Sequence, residues 1–202
     1  GNFYFKKKPK SYRKLKTVVE LLHDDDADRE TKLLELTNVL TSVFPNLKGD
    51  IVTFIGSTFI KYGEKTPYLN HCIVRNSCDD LPDIKNSKIE TYNSEKQVLL
   101  AWTKIIQKED PDIIIGYNIF GFDYNFMYLR AKELGITRQF LKVSRNKGEI
   151  CLKRDWKTGK DSIETSSIAI ASGIHDLKYV KMTGRLQIDL YNYLRRDYNL
   201  TQ

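Results

Sequence analysis

The stretch from Pro111 to Gly135 constrains the fold more than any other part of the chain, because it reads as a strand, a loop and a helix in immediate succession. Ile113, Ile114 and Ile115 form an unbroken β-branched run, the mark of a strand covered on both faces and central in its sheet. Gly116 ends that run. The following helix is expected over Tyr124 to Leu134, with Met127, Leu129 and Leu134 packing inward and Gly135 supplying a left-handed C-terminal cap. Asp123 then lands at a helix N-terminus beyond the carboxyl end of a central strand, which is where ligands bind in an open α/β sheet. On local physics alone Asp123 is an N-cap that accepts helix amide protons and favours the positive end of the macrodipole. Asn118 is a loop residue tolerant of unusual backbone angles, and Phe122 belongs to the core.

Upstream, apolar residues recur at helical spacing over residues 11–22 and 28–44: Leu15, Val18, Val19 and Leu22, then Leu33, Leu36, Val39, Leu40 and Val43. Residues 23–28 form an acidic connector, and Pro45 and Gly49 punctuate the end of the second helix. From Asp50 the pattern becomes alternating and rich in Ile, Val, Thr and Phe. Strands are expected over Ile51 to Lys61 and Tyr68 to Arg75, around a turn at Tyr62-Gly63-Glu64, with a short third strand at Lys88 to Tyr92. Ser94 caps a helix reaching about Gln107, whose buried stripe is Val98, Leu99, Trp102, Ile105 and Ile106. Gln187 to Leu190 reads as a further strand.

Charge is distributed unevenly. Lys6, Lys7, Lys8, Lys10, Arg13, Lys14 and Lys16 meet no acid within the first 19 residues, which leaves 26 basic and 26 acidic residues in the remainder. Such a cluster reads as contact with nucleic-acid phosphates or as a solvated tail. A second basic run, Arg138 to Lys160, carries an excess of +6. It is expected to form a β-hairpin turning near Lys157-Thr158-Gly159. No apolar run approaches the ~20 residues of a membrane span. Cys72, Cys78 and Cys151 lack metal-site spacing, and their odd number argues against a disulfide framework, so the compartment is expected to be reducing. The lysine-rich start does not resemble a secretory signal. His23, His71 and His175 are scattered and receive no chemical role.

The run Asp-Pro-Asp-Ile-Ile-Ile-Gly-Tyr-Asn-Ile-Phe-Gly-Phe-Asp, Asp110 to Asp123, closely resembles the second exonuclease motif of family B DNA polymerases, particularly the delta-like enzymes of eukaryotes and large DNA viruses. The resemblance extends through Glu95 to Trp102 and Gly184 to Asp189, over roughly residues 46–202. Gly1-Asn2-Phe3 is similar to the stretch that follows the family's first motif. Neither that first motif, an Asp-x-Glu strand, nor the third, a Tyr-x-x-x-Asp helix, is present.

The resemblance implies an RNase H-like α/β domain over residues 47–202: a mixed five-stranded sheet flanked by helices, with its first strand missing. Residues 1–46 become a basic helical insertion or extension. It implies that Asp123 helps hold two divalent ions, Mg2+ or Mn2+, for two-metal hydrolysis of 3'-terminal nucleotides, with the other carboxylates supplied by the absent motifs. Asn118 and Phe122 would line the pocket for the primer end, Tyr117 would support the loop, and Arg154, Lys157 and Lys160 would contact DNA phosphates. Asp189 is read as architecture, and Asp112 as the start of a strand. The implied partners are DNA, the rest of the polymerase chain and a processivity factor, in the nucleus or a viral replication compartment. Two other classes remain open: a nuclease-inactive module that binds DNA or serves structure, and a free-standing exonuclease. An upstream Asp-x-Glu would exclude the first, and a downstream polymerase domain the second.

Overall fold

The change from helical to alternating hydrophobicity near Asp50 coincides with a change of architecture. The computed structural model describes residues 17–43, 48–157, 159–170 and 173–197. The chain divides into two units, Gly1–Lys48 and Gly49–Gln202.

In the first unit, α1 (Val18–Leu22) starts with a capping box: the Thr17 hydroxyl accepts from the Glu20 amide and the Glu20 carboxylate accepts from the Thr17 amide. Asp28 accepts from the Thr31 amide at 2.7 Å at the head of α2 (Arg29–Val43). Leu21 and Val39 are buried, whereas Leu33 and Leu40 of the expected stripe are exposed. The basic residues Lys6 to Lys16, the helical pattern of residues 11–16, Pro45 and Gly1-Asn2-Phe3 lie outside the described residues.

In the second unit, β1 (Phe54–Phe59) runs antiparallel to β2 (Leu69–Arg75), with Phe54 opposite Val74 and Phe59 opposite Leu69. β2 runs parallel to β3 (Ser87–Tyr92). Ser94 accepts from the Gln97 amide and opens α3 (Glu95–Glu109), which buries the expected Val98, Leu99, Trp102, Ile105 and Ile106. Then come β4 (Ile113–Gly116), a π-helical turn over Ile119–Asp123, α4 (Tyr124–Glu133) and α5 (Thr137–Phe140). The sequence reading did not anticipate α5. Two hairpins follow, β5 (Lys153–Arg154) with β6 (Asp161–Ser162), and β7 (Glu164–Ile170) with β8 (Gly173–Tyr179). Finally β9 (Leu186–Asp189) returns parallel to β4 and leads into α6 (Leu190–Asp197).

The core lies where α3, α4 and α5 meet the strands. α4 buries Tyr124, Met127, Tyr128 and Ala131, an i, i+3, i+4, i+7 stripe, and Leu129 is exposed instead of packing as expected. Gly135, at φ 68°, closes the helix as expected: its amide and that of Ile136 donate to the carbonyls of Lys132 and Ala131. A buried bidentate pair joins α3 to α4, with Arg130 Nε 2.7 Å from Glu95 Oε1 and a terminal guanidinium nitrogen 2.6 Å from Oε2. The Val52 amide and the Gly49 carbonyl complete it. Burial raises the Glu95 pKa, but Arg130 and the Val52 amide outweigh it, and the carboxyl ends below its ordinary value.

The class is mixed α/β, as expected. The strands nevertheless fall into a three-stranded group, β1-β2-β3, and a two-stranded pair, β4-β9, so the described residues do not form one continuous five-stranded sheet. Ile113 and Ile115 are 45% and 58% exposed, contrary to the expectation of a strand covered on both faces. The reason is pairing: β4 bonds only to β9 and β1 only to β2, leaving one backbone edge of each unpaired among the described residues. Both strands line a single cleft of ≈ 640 Å³ together with Trp102, Ile106, Phe122, Asp123 and Tyr124.

Candidate functional site

Asn118 adopts a left-handed conformation, φ 60° and ψ 25°, directly after the strand end. Space for a side chain is short on both sides of it. A Cβ at Gly116 would collide with the Ile119 side chain, and one at Gly121 with the Asn118 amide. The chain then enters the π-helical turn, which runs into α4 without interruption. Asp123 therefore has helical angles, φ −58° and ψ −49°, and makes no capping hydrogen bond. The N-cap expectation is thus overturned, and the carboxylate is left to face the cleft that it lines. Its pKa is raised, first by desolvation and then by the charge of Asp189.

Asp189 explains why the turn holds this shape. It is 4% exposed at the end of β9, opposite Gly116 of β4. One carboxylate oxygen accepts from the amides of Asn118 at 2.7 Å and Tyr191 at 3.0 Å, and the other from the Phe120 amide at 2.9 Å and the Asn192 side chain at 3.0 Å. Both oxygens are occupied by N–H donors, so the side chain acts as a clamp on the loop. Replacing Asp189 with Asn turns an NH2 group toward two donors, and each buried unpaired group costs ~1–3 kcal/mol. In the full-length protein Asp189→Asn should lower the melting temperature of this domain, and an unchanged melting transition would show that the clamp is dispensable.

A second cluster fixes the entry to β4. Arg185 is buried and donates to the carbonyls of Val143 and Pro111, with its guanidinium 2.7 Å from Asp110. Arg145 pairs with Asp110 at 3.0 Å and with Asp112 at 2.6 Å. These ion pairs hold Asp110 below the usual carboxylate range, Arg145 contributing most. Asp112 precedes the strand, as expected, and its carbonyl accepts from Leu186 of β9.

Of the other residues singled out in the sequence, Asn118 is half-buried and the aromatic and basic ones are exposed. Phe122 is exposed, not core as local reading suggested, and stacks on Phe126 with ring centroids 5.3 Å apart. Tyr117 is exposed and meets Tyr191 edge-on at 5.4 Å. Arg154, Lys157 and Lys160 lie on the β5–β6 hairpin, where Gly159 takes φ 68° and the Asp155 amide donates to the Lys160 carbonyl. The turn is where the sequence placed it, although Thr158 lies outside the described residues. The wider basic run is not one hairpin. Arg138 belongs to α5 and pairs with Asp161, and Arg145 is occupied by Asp110 and Asp112. The sequence reading also passed over Trp156, which is 85% exposed at the tip with the Lys157 ammonium 5.0 Å from its ring centre. Tyr128 of α4 anchors the hairpin by donating to the Asp161 carbonyl at 3.0 Å.

Among the described residues no group of three His, Cys, Asp or Glu side chains could hold a metal ion. Asp123 offers a carboxylate to the cleft, and Asp189 is consumed by its donors. The donor set thus fits a single ligand of a larger site.

Residues 32–202 match the exonuclease domain of DNA polymerase family B, and the chain belongs to that family. It is 43% identical over 201 residues to a DNA polymerase of Phaeocystis pouchetii virus, covering 96% of this chain and 19% of that protein. It is 36% identical to a DNA polymerase of Pyramimonas orientalis virus, covering 88% of the chain and 14% of the relative. The catalytic subunit of DNA polymerase delta from Candida albicans is 34% identical over 160 residues, 78% of the chain and 14% of the relative. The chain thus spans about a fifth or less of the length of these relatives. No helix among the described residues is long and apolar enough to cross a membrane.

Proposed function

We propose that this chain is the proofreading part of a DNA-directed DNA polymerase and removes mispaired 3'-terminal nucleotides by phosphodiester hydrolysis. The observation that carries the reading is Asp123: a carboxylate that makes no capping bond and lines a cleft beside the exposed Phe122 ring, within a family B exonuclease domain. Divalent ions, Mg2+ or Mn2+, would supply the activation of water when bound. Asp123 would contribute one ligand, and carboxylates from elsewhere in the polymerase chain would contribute the others. The residues' own work is positioning. The Asp189 clamp fixes the loop, Asn118 and Phe122 receive the unpaired primer end, and Tyr117 braces the loop against Tyr191. Exposed aromatic faces suit unstacked bases, for which stacking contributes ~1–3 kcal/mol per base.

The unpaired edges of β1 and β4 support a further element of this reading. A cleft of ≈ 640 Å³ is also the size of a small-molecule pocket, so volume alone decides nothing. The lining decides it. Two open backbone edges flanked by apolar side chains suit an extended strand, and the RNase H-like sheet would be completed by one carrying the family's Asp-x-Glu. Residues 1–46 act as a basic helical appendage to residues 47–202 in this scheme. DNA, the remaining polymerase chain and a processivity factor are the partners, in a nuclear or viral replication compartment.

The β5–β6 hairpin would bind DNA as the primer moves to the excision site, with Arg154, Lys157 and Lys160 at the phosphates and Trp156 offering a stacking face. Shortening its turn should slow excision from a duplex end about 10-fold while leaving single-stranded substrates near the parental rate. Equal slowing of both would remove the hairpin from strand separation. A second reading, a nuclease-inactive DNA-binding or structural module, draws on the absence of a three-acid group among the described residues. Metal-dependent excision by the polymerase, measured with and without Asp123, separates the two.

A further inference from the structure

Tyr124 opens α4 beside Asp123, and its side chain is 2% exposed. Its ring stacks on Phe120 with centroids 6.1 Å apart, so the apolar part of the residue is accounted for by packing. The hydroxyl is not. It is buried and has no hydrogen-bond partner among the described residues. A buried phenol without an acceptor is less stable than the phenylalanine that would fill the same space, since the hydroxyl has given up water and gained nothing. Buried tyrosine hydroxyls ordinarily find a partner.

The position of the residue indicates where that partner lies. Tyr124 lines the same cleft as the unpaired edge of β1 and the exposed Ile113 and Ile115. A small ligand would leave the two backbone edges unsatisfied, whereas an extended chain segment would pair with both and bring oxygen acceptors past the Tyr124 ring.

We propose that the Tyr124 hydroxyl donates a hydrogen bond to an acceptor oxygen of the strand that fills the β1–β4 cleft, and thereby fixes that strand beside Asp123. The inference rests on the strand-completed sheet proposed above. It assigns a binding role to a side chain outside the Tyr117 to Asp123 loop, and its ligand is an extended segment of the same polymerase chain.

The test is Tyr124→Phe in the full-length polymerase, followed by amide hydrogen exchange in the peptides containing Phe54–Phe59 and Ile113–Gly116 without DNA. Losing one hydrogen bond should speed exchange there on the order of fivefold. Excision should slow with KM for single-stranded DNA unchanged. Exchange that is unaltered or slower would mean that the hydroxyl meets only water or nothing, and would overturn the proposal. A raised KM with unaltered exchange would assign the acceptor to DNA and overturn it as well. Failure of the excision reading is visible separately: excision that persists in Asp123→Ala leaves the exchange result intact.

Discussion

Replacing Asp123 with alanine in the full-length polymerase is expected to abolish metal-dependent 3'-5' excision and to leave nucleotide addition near its parental rate. The expectation begins with geometry. Asp123 closes a π-helical turn whose start is pinned by Asp189, and it makes no capping bond that would give it a structural duty. Its loss should therefore cost the fold little. Its pKa is raised, first by desolvation and then by the charge of Asp189. Even groups that merely orient metal ligands change affinity or activity by about 10–100-fold when removed, so a direct ligand should exceed about 100-fold. The measurement is single-turnover excision of a mispaired primer alongside extension of a matched one. Near-parental excision would show that Asp123 does not bind metal, and a parallel collapse of extension would show that the substitution unfolds the chain.

The loop shows where the sequence was legible and where it was not. The strand ending at Gly116 and the helix ending at Gly135 could be read locally, because a β-branched run and a left-handed glycine act within a few residues. The conformation between them could not. Asn118 and Phe120 bond to a carboxylate 71 and 69 residues away, and that long-range clamp, not capping propensity, sets the backbone at Asp123. The same holds for Glu95 and Arg130, whose buried pair spans 35 residues. Leu129 misled for a different reason: a helix can turn a leucine outward when tyrosines fill its buried stripe. Likewise β7, with Thr165, Ser166 and Ser167 in its first half, offers no apolar alternation, so its hairpin with β8 escaped notice. What could be recognised was the joint pattern over Asp110 to Asp123.

The largest structural effect should come from completing the sheet. β1 offers six residues and β4 four, each with one unpaired edge on the shared cleft. A strand inserted between them would form roughly eight ladder hydrogen bonds at about 1 kcal/mol each. It would also cover Ile113 and Ile115, now 45% and 58% exposed. Against a total stability of about 5–15 kcal/mol for a domain, this contribution decides whether the sheet persists. Residues 1–202 produced alone should therefore unfold without a cooperative transition and aggregate through the open edges. Adding about 20 residues of the polymerase upstream, enough for one strand and its lead-in, should restore a single sharp transition. Circular dichroism melts of the two proteins make the comparison, with magnesium-dependent nuclease assays in parallel. Cooperative unfolding of the shorter protein would show that β1 and β4 need no shared neighbour. Nuclease activity from it would show that the remaining metal ligands lie within these 202 residues.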